Sequence, residues 1–473
     1  MKIVNSMATR FETLGNATVL VSKDGKPVLA TDPWLVNTCY FGSWALDHPL
    51  SQRQISDIIA ADTIWISHGH PDHLHDESLA MLRPETRILL PDHYSGEIAE
   101  YLRGKGFAVT VLPYRTWFPI APGIRVLCLD NMNQDAVLTI EADGSLVIDL
   151  NDSPLCGEER FLRKLIGAYP RDRTYLLALC SVDADMFNFV DATGASLAGP
   201  PDERKPGAVW HIARIADRLG VGTFCCSSSQ HIYVRSDSVW ANPYRITWTD
   251  MQKYWSRRNI RLVEPFVTVD LATGTCTANH PSHQSDESQI TEATGDDDWA
   301  ARLSAEEWTT VERFVRKFEM VRRHIDFVAF QVGGETRRFE LNPGVATNKA
   351  CGVVFNVPRQ SLLTTVEFGY LDDLLIGNFM KVELVNTRLY PRFTPLVAKV
   401  GGNAKVYSKT QYRGFLLRYL RRNPLGTVRY LLGIELDQVI LPWLRRAAER
   451  LGIKQPLKYI YRRVLGDPVG QQS

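Results

Sequence analysis

Short apolar, β-rich runs recur through the first 230 residues, each followed by a polar loop or a helix-like segment. They predict strands at Thr18–Val21, Thr63–Ser67, Arg87–Pro91, Ala108–Leu112, Ile124–Leu129, Ala136–Glu141, Ser145–Leu150, Tyr175–Ser181 and Gly222–Ser227. Helical spacing falls at Glu97–Lys105, Glu158–Tyr169 and Val209–Leu219. Strands before, between and after helices predict a layered α/β arrangement. Residues 124–150 read as a meander, and Asp143-Gly144 is a favourable hairpin dipeptide, so the sheet is predicted to be mixed.

The pattern changes near residue 281. Residues 281–305 are acidic and poor in aliphatics, which predicts a linker. Trp308, Val311, Phe314, Val315, Phe318 and Val321 then follow at helical spacing. Strand-like runs at Ile325–Val332, Thr336–Leu341 and Gly352–Val357 and a helix over Leu362–Ile376 complete a second, smaller α+β unit, 306–407. Its expected role is packing that closes a cleft of the first unit, 1–280. From 408 to the end, arginines interleave with Leu, Tyr and Trp, and Pro424 and Pro442 divide the tail into short helices.

At 473 residues the chain is long enough for two or three domains. Its net charge of +1 hides a segregation: residues 408–467 carry thirteen Lys or Arg and four Asp or Glu, a net +9 that leaves about −8 elsewhere. This basic amphipathic tail points to an anionic membrane surface as a partner or to the acidic body of the same protein. No recognised nucleic-acid fold surrounds these charges, so nucleic acid is not an expected partner. The eight cysteines form no CxxC pair and are expected to be free thiols. No apolar signal region opens the chain and no run of about 20 apolar residues occurs, so a cytoplasmic protein is expected, with peripheral membrane attachment through the tail as the alternative to a tail packed on the body.

The chemistry concentrates in Ile64-Trp65-Ile66-Ser67-His68-Gly69-His70-Pro71-Asp72-His73-Leu74. An apolar strand runs into a turn holding three histidines and one aspartate. A strand end lets His68 and His70 converge on one metal, and the turn swings Asp72 and His73 towards another. Imidazole with carboxylate suits a divalent metal, one or two ions, zinc first, with iron or manganese compatible. This HxHxDH pattern resembles the metallo-β-lactamase superfamily. The resemblance implies an αββα sandwich, a bridging carboxylate at Asp152 after the strand Leu146–Leu150, and a late ligand at His231 after Gly222–Ser227. It also implies that Asp32 orients a ligand histidine. His48 and His75 are expected at the surface, and Tyr233 and Arg235 are candidate substrate contacts.

The superfamily usually places one more ligand histidine before the hairpin. Here that loop reads Asp130-Asn131-Met132-Asn133-Gln134-Asp135, leaving Asn131 as a weak donor in its place. The segments Leu14–Leu20, Asp32-Pro33-Trp34-Leu35 and Asn151-Asp152, with Phe224-Cys225 and 233–240, look most like the catalytic domain of the CMP-N-acetylneuraminate hydroxylase family. The Cys-x-His and Cys-x-x-His of a Rieske cluster are absent. Two enzymatic readings follow. The first is a hydrolase in which a metal lowers the pKa of bound water, Asp72 orients or deprotonates that water, and the hydroxide attacks a small-molecule ester, amide, lactone or phosphoester. The alternative is a dinuclear iron oxygenase with an external electron donor. A non-catalytic relative is the third reading.

Overall fold

The structure is a computed structural model. It describes residues 8–182, 184, 187–191, 193–279, 297–387 and 400–435. Most of the acidic stretch (280–296) and the tail beyond 435, including Pro442, lie outside these residues.

Two large sheets stack face to face. The first has eight strands in the order Thr275–Ala278, Val267–Asp270, Thr9–Leu14, Thr18–Lys23, Lys26–Thr31, Thr63–Trp65, Arg87–Pro91 and Ala108–Leu112. The second has seven, ordered Arg261–Val263, Thr223–Ser227, Thr174–Leu179, Ser145–Asn151, Ala136–Ala142, Ile124–Asp130 and Phe118–Ala121. Each is antiparallel at one side and parallel at the other. The meander turns on Asp143 and Gly144, both at positive φ, between the paired Ala142 and Ser145. That is the backbone a two-residue hairpin with right-handed strand twist requires.

The period-2 alternation shows why these runs are apolar throughout. Val147, Tyr175, Leu177 and Cys225 meet Val19, Val21, Trp65 and Leu89 between the sheets. Their chain neighbours Leu146, Ile148, Leu176 and Phe224 face outward against Leu162, Ile166, Val209, Ile212 and Leu219 of the helices Glu159–Ile166 and Pro201–Leu219. On the other side, Ile64, Ile66, Ile88 and Leu90 pack on Ile55, Ile58, Ala99 and Leu102 of the helices Gln52–Ile59 and Glu97–Gly104. Both faces of both sheets are covered, giving the expected metallo-β-lactamase-like αββα sandwich. Cys225 and Cys226 face opposite layers, and all eight cysteines are free.

A five-stranded sheet follows, ordered Phe189–Val190, Lys381–Val385, Gly352–Asn356, Phe327–Val332 and Glu335–Glu340. Phe189–Val190, from the first half of the chain, is its edge strand. The helices Ala305–Arg316 and Arg359–Phe368 cover it. The single helix predicted over Leu362–Ile376 is instead two. Gly369, at φ 83°, ends the first at its C-cap, and a second helix runs Asp372–Ile376. The end of the acidic stretch is docked: Asp297 is buried, and Trp299 Nε1 donates to Asp237 at 2.8 Å.

Of the basic tail, the helices Lys409–Arg422 and Pro424–Glu435 are described. Phe415 and Tyr419 pack with Met132, Val400 and Val406, while Arg418 pairs with Asp92 and Arg422 with Asp92 and Asp130. This part of the tail lies on the acidic body. No helix among the described residues is long and apolar enough to cross a membrane.

Candidate metal centre

The strand Thr63–Trp65 ends at the rim of the first sheet, and the HxHxDH turn follows at once. His68, His70, Asp72 and His73 are all buried. Backbone bonds from the His73 and Leu74 amides to the His70 carbonyl, at 3.0 and 2.8 Å, close the turn.

Asp32 follows the strand Lys26–Thr31, at φ 40°. Its Oδ1 accepts from the Ser67 amide at 2.7 Å and its Oδ2 from the Ser67 hydroxyl at 2.8 Å. Oδ2 also lies 3.3 Å from His73 Nδ1. Asn151 Nδ2 donates to Asp32 as well, while its Oδ1 accepts from Ser228 Oγ at 2.6 Å. Asp32 therefore fixes the His73 ring and the strand end together. Ser67 Oγ lies 2.9 Å from His68 Nδ1, which orients the first histidine through the same carboxylate.

His68, His73 and Asp152 each offer a ligand atom within 4.8 Å of the others'. His73 Nε2 lies 3.2 Å from Asp72 and 3.4 Å from Asp152. Neither His73 Nε2 nor the buried Asp152 Oδ1 has a hydrogen-bond partner. Burial disfavours a charged His73, but the Asp72 and Asp152 carboxylates outweigh it and push the imidazole well above its ordinary range. Burial likewise opposes ionisation of Asp72, yet His73 and the Tyr40 hydroxyl hold its carboxyl below the usual range. Three ligand atoms thus lie close together, and buried atoms of two of these side chains make no hydrogen bond; a divalent metal fits.

The other sequence candidates fall in three places. Asp72 is gripped by Asn16 Nδ2 at 2.8 Å and Tyr40 OH at 2.6 Å. His231 is buried with its ring stacked on Trp44, centroids 3.4 Å apart, and burial pushes its pKa down to about 3. Its Nδ1 lacks a hydrogen-bond partner, but it joins no group of three ligand atoms among the described residues. Asn131 does not stand in for the missing histidine. Its Oδ1 accepts from the Asn133 amide at 2.8 Å and its Nδ2 donates to Ser153 Oγ at 2.7 Å, so both ends tie the loop to itself and to residue 153.

Arg235 and Tyr233 are not free for a substrate. The Arg235 side chain is wholly buried, bonded to Asp237, Asp297 and the Phe41 carbonyl, with the Phe379 ring 4.1 Å below it. The Tyr233 hydroxyl accepts from Asn378 Nδ2 at 3.2 Å, and its ring is edge-on to Trp44. His75, expected at the surface, is buried and caps the short helix Asp76–Leu79; His48 is half-buried against Phe266.

Sequence reasoning missed one contribution. His70 Nε2 lies 3.2 Å from Asp372 Oδ2, and His70, Asp372 and Asp373 form a second group with ligand atoms within 4.8 Å of one another. Beside it opens a cleft of about 450 Å³, walled by Tyr40, Phe41, Pro71 and Leu74 on one side and Phe368 and Tyr370 on the other.

A helix-flanked pair of stacked mixed sheets with an HxHxDH turn at a strand end defines a metallo-β-lactamase-like protein. No family model matches the chain. Its curated relatives include the cytidine monophosphate-N-acetylneuraminic acid hydroxylases of Danio rerio, 28% identical over 139 residues, and Xenopus laevis, 28% over 143. Each match covers 28% of this chain and only 23% of the relative. Solved structures with a similar fold include a metallo hydrolase from Ignicoccus hospitalis, 18% identical, covering 55% of this chain and 97% of that one at a TM-score of 0.36. Another is an isothiocyanate hydrolase from Delia radicum gut bacteria, 15% identical, covering 55% and 98% at 0.37.

Proposed function

We propose that the chain is a metal-dependent hydrolase of small molecules. The observation that carries this reading is the convergence of His68, His73 and Asp152 on one point with His73 Nε2 and Asp152 Oδ1 unpartnered. A divalent ion held there supplies Lewis acidity and brings the pKa of a water towards neutrality. Asp32 keeps the His73 ring turned to the site, and Ser67 does the same for His68. A carboxylate held below its usual range is a weak base, so Asp72 orients a water rather than taking its proton.

The cleft gives the substrate class a direction. Among the described residues its wall carries Asp76, Glu77, Glu97 and Asp373 and no lysine or arginine. Lys105 and Lys405 reach Asp76 and Glu97 from outside it. Such a wall suits an uncharged, partly apolar ester, amide or lactone better than a phosphoester. Hydroxylase relatives keep an iron oxygenase as the second reading.

Metal analysis of the purified protein together with a panel of neutral esters and lactones tests the proposal. We expect bound divalent metal, turnover of at least one neutral substrate, and in His73→Ala and Asp152→Ala the loss of that turnover and of the metal equivalent held at His68, His73 and Asp152, with the circular dichroism spectrum kept. Iron with reductant-dependent oxygen uptake and no hydrolysis would replace it with the second reading. Wild-type metal content in both variants would remove it.

A further inference from the structure

We infer that Asp372 and Asp373 are metal ligands delivered from the second unit, and that they take the place of the histidine lacking in the loop 130–135. The inference rests on the metal-dependent reading above and concerns the second ion position, beside His70.

His70 points away from the group formed by His68, His73 and Asp152. Its Nδ1 lies 2.9 Å from His68 Nε2, while its Nε2 lies 3.2 Å from Asp372 Oδ2. One ligand atom from each of His70, Asp372 and Asp373 falls within 4.8 Å of the other two. Asp373 Oδ1 has no hydrogen-bond partner. One imidazole with two carboxylates is a divalent-cation set, harder than three imidazoles. Asn131, by contrast, has its amide engaged within its own loop.

The fold holds these carboxylates in place deliberately. Gly369 breaks the helix before them and Leu371 opens the next turn, so Asp372 and Asp373 begin a helix directly above the HxHxDH turn. Tyr370 closes over Gly69: a Cβ there would stand 2.7 Å from the Tyr370 hydroxyl, so only glycine lets the two segments approach this closely. Asn403 Nδ2 donates to Asp372 Oδ2 at 3.2 Å and orients it, as partners of metal-binding carboxylates do. On the far side Ser43 donates to the Gly377 carbonyl, and Asn378 bonds to the Ala184 carbonyl and the Tyr233 hydroxyl. The segment 369–378 is therefore seated on the first unit at both ends.

The test is metal binding. Metal-free wild type, Asp372→Asn, Asp373→Asn and the double variant are titrated with Zn²⁺ and with Co²⁺, whose visible absorption reports the ligands around the ion. We expect two equivalents in wild type. Each single variant should bind one of them more weakly by at least the roughly 10–100-fold that loss of an outer-shell partner costs, with an altered Co²⁺ spectrum. The double variant should keep one equivalent, still abolished by His73→Ala. Asparagine nearly preserves shape, and Asp373→Asn leaves the His70–Asp372 contact intact, so a folding defect in one variant does not decide the matter. Two equivalents, unchanged affinities and unchanged spectra in both single variants would overturn the inference while leaving the hydrolase reading standing. So would a single wild-type equivalent indifferent to both substitutions. Wild type that binds no metal would bring down both.

Discussion

Arg235 is wholly buried with all three of its side-chain nitrogens bonded, and removing it should loosen the second unit from the first. Four of its five N–H donors are engaged: Nε and Nη2 with the two oxygens of Asp237, at 2.8 and 3.1 Å, and Nη1 with the Phe41 carbonyl and Asp297 Oδ2, both at 3.0 Å. Arg235→Met keeps an unbranched apolar chain in the site and removes the charge, its bonds and the guanidinium's contact with the Phe379 ring. Asp237 is about 20% exposed and can turn to water, so its share is small. Asp297 cannot. Its side chain is 5% exposed, and the Ser361 amide and hydroxyl, both neutral, are bonded to it. Breaking a buried pair from one side costs about 3–5 kcal/mol, and with Ser361 still bonded we expect roughly 3 kcal/mol. Urea unfolding of Arg235→Met measures it. Adding Asp297→Asn removes the stranded charge, so the double variant should be more stable than the two single losses imply, by at least about 1 kcal/mol. A loss under about 1 kcal/mol for Arg235→Met would refute the reasoning and return Arg235 to the list of groups free to meet a ligand.

Three further outcomes are open to direct measurement. Gly69→Ala should destabilise by about 1–3 kcal/mol in urea unfolding, and Tyr370→Phe in the same chain should recover part of it, because the Tyr370 hydroxyl is the nearest atom to the new methyl. Asp130 is pushed up to about 7, by burial first and against the pull of Arg422. A carboxylate raised above its unfolded value weakens the fold as pH climbs from about 4 to the folded pKa; Arg422→Met extends that window upward, so its loss in urea should be larger at pH 8 than at pH 5. Residues 436–473 hold seven of the thirteen basic residues counted between 408 and 467, whereas Arg418 and Arg422 are already paired with the body. Sedimentation with phosphatidylserine vesicles should therefore fall sharply in a chain ending at Glu435, and equal sedimentation of both chains would remove the membrane partner.

The strands were legible because the sandwich buries both of their faces. Runs such as Ser145–Asn151 have no polar alternation to confuse, and their predicted limits fall within a residue or two of those found. The first two turns of the helix Pro201–Leu219 were hidden by two prolines within it and a third, Pro200, at its N-cap. Pro201 sits in the first turn, where a missing N–H is harmless, and Pro206 forfeits one bond that the buried face Val209–Leu219 outweighs. The strands Val267–Asp270 and Thr275–Ala278 are short and rich in Thr, and join the first sheet only through the distant Thr9–Leu14. The metal motif was readable for a related reason: its four ligand-type residues lie within six positions, though the structure divides its histidines between two groups, His68 and His73 in one and His70 in the other.

Asp372 and Asp373 were beyond such reading. By local rules two acids opening a helix only complement its dipole, and nothing in their neighbourhood names His70, 302 positions earlier. Arg235 misled for the same reason, since Asp297 is 62 residues away. Both cases involve groups that face one another across the two units. A loop without its histidine looks, in sequence, like a weakened site. In the structure the loop amide is turned inward and a short helix of the second unit stands against the Nε2 side of His70. The signal that could have found it is the glycine at 369. It splits the apolar run 362–376 into two helices just before Tyr-Leu-Asp-Asp, so that both acids open a helix of their own facing the HxHxDH turn.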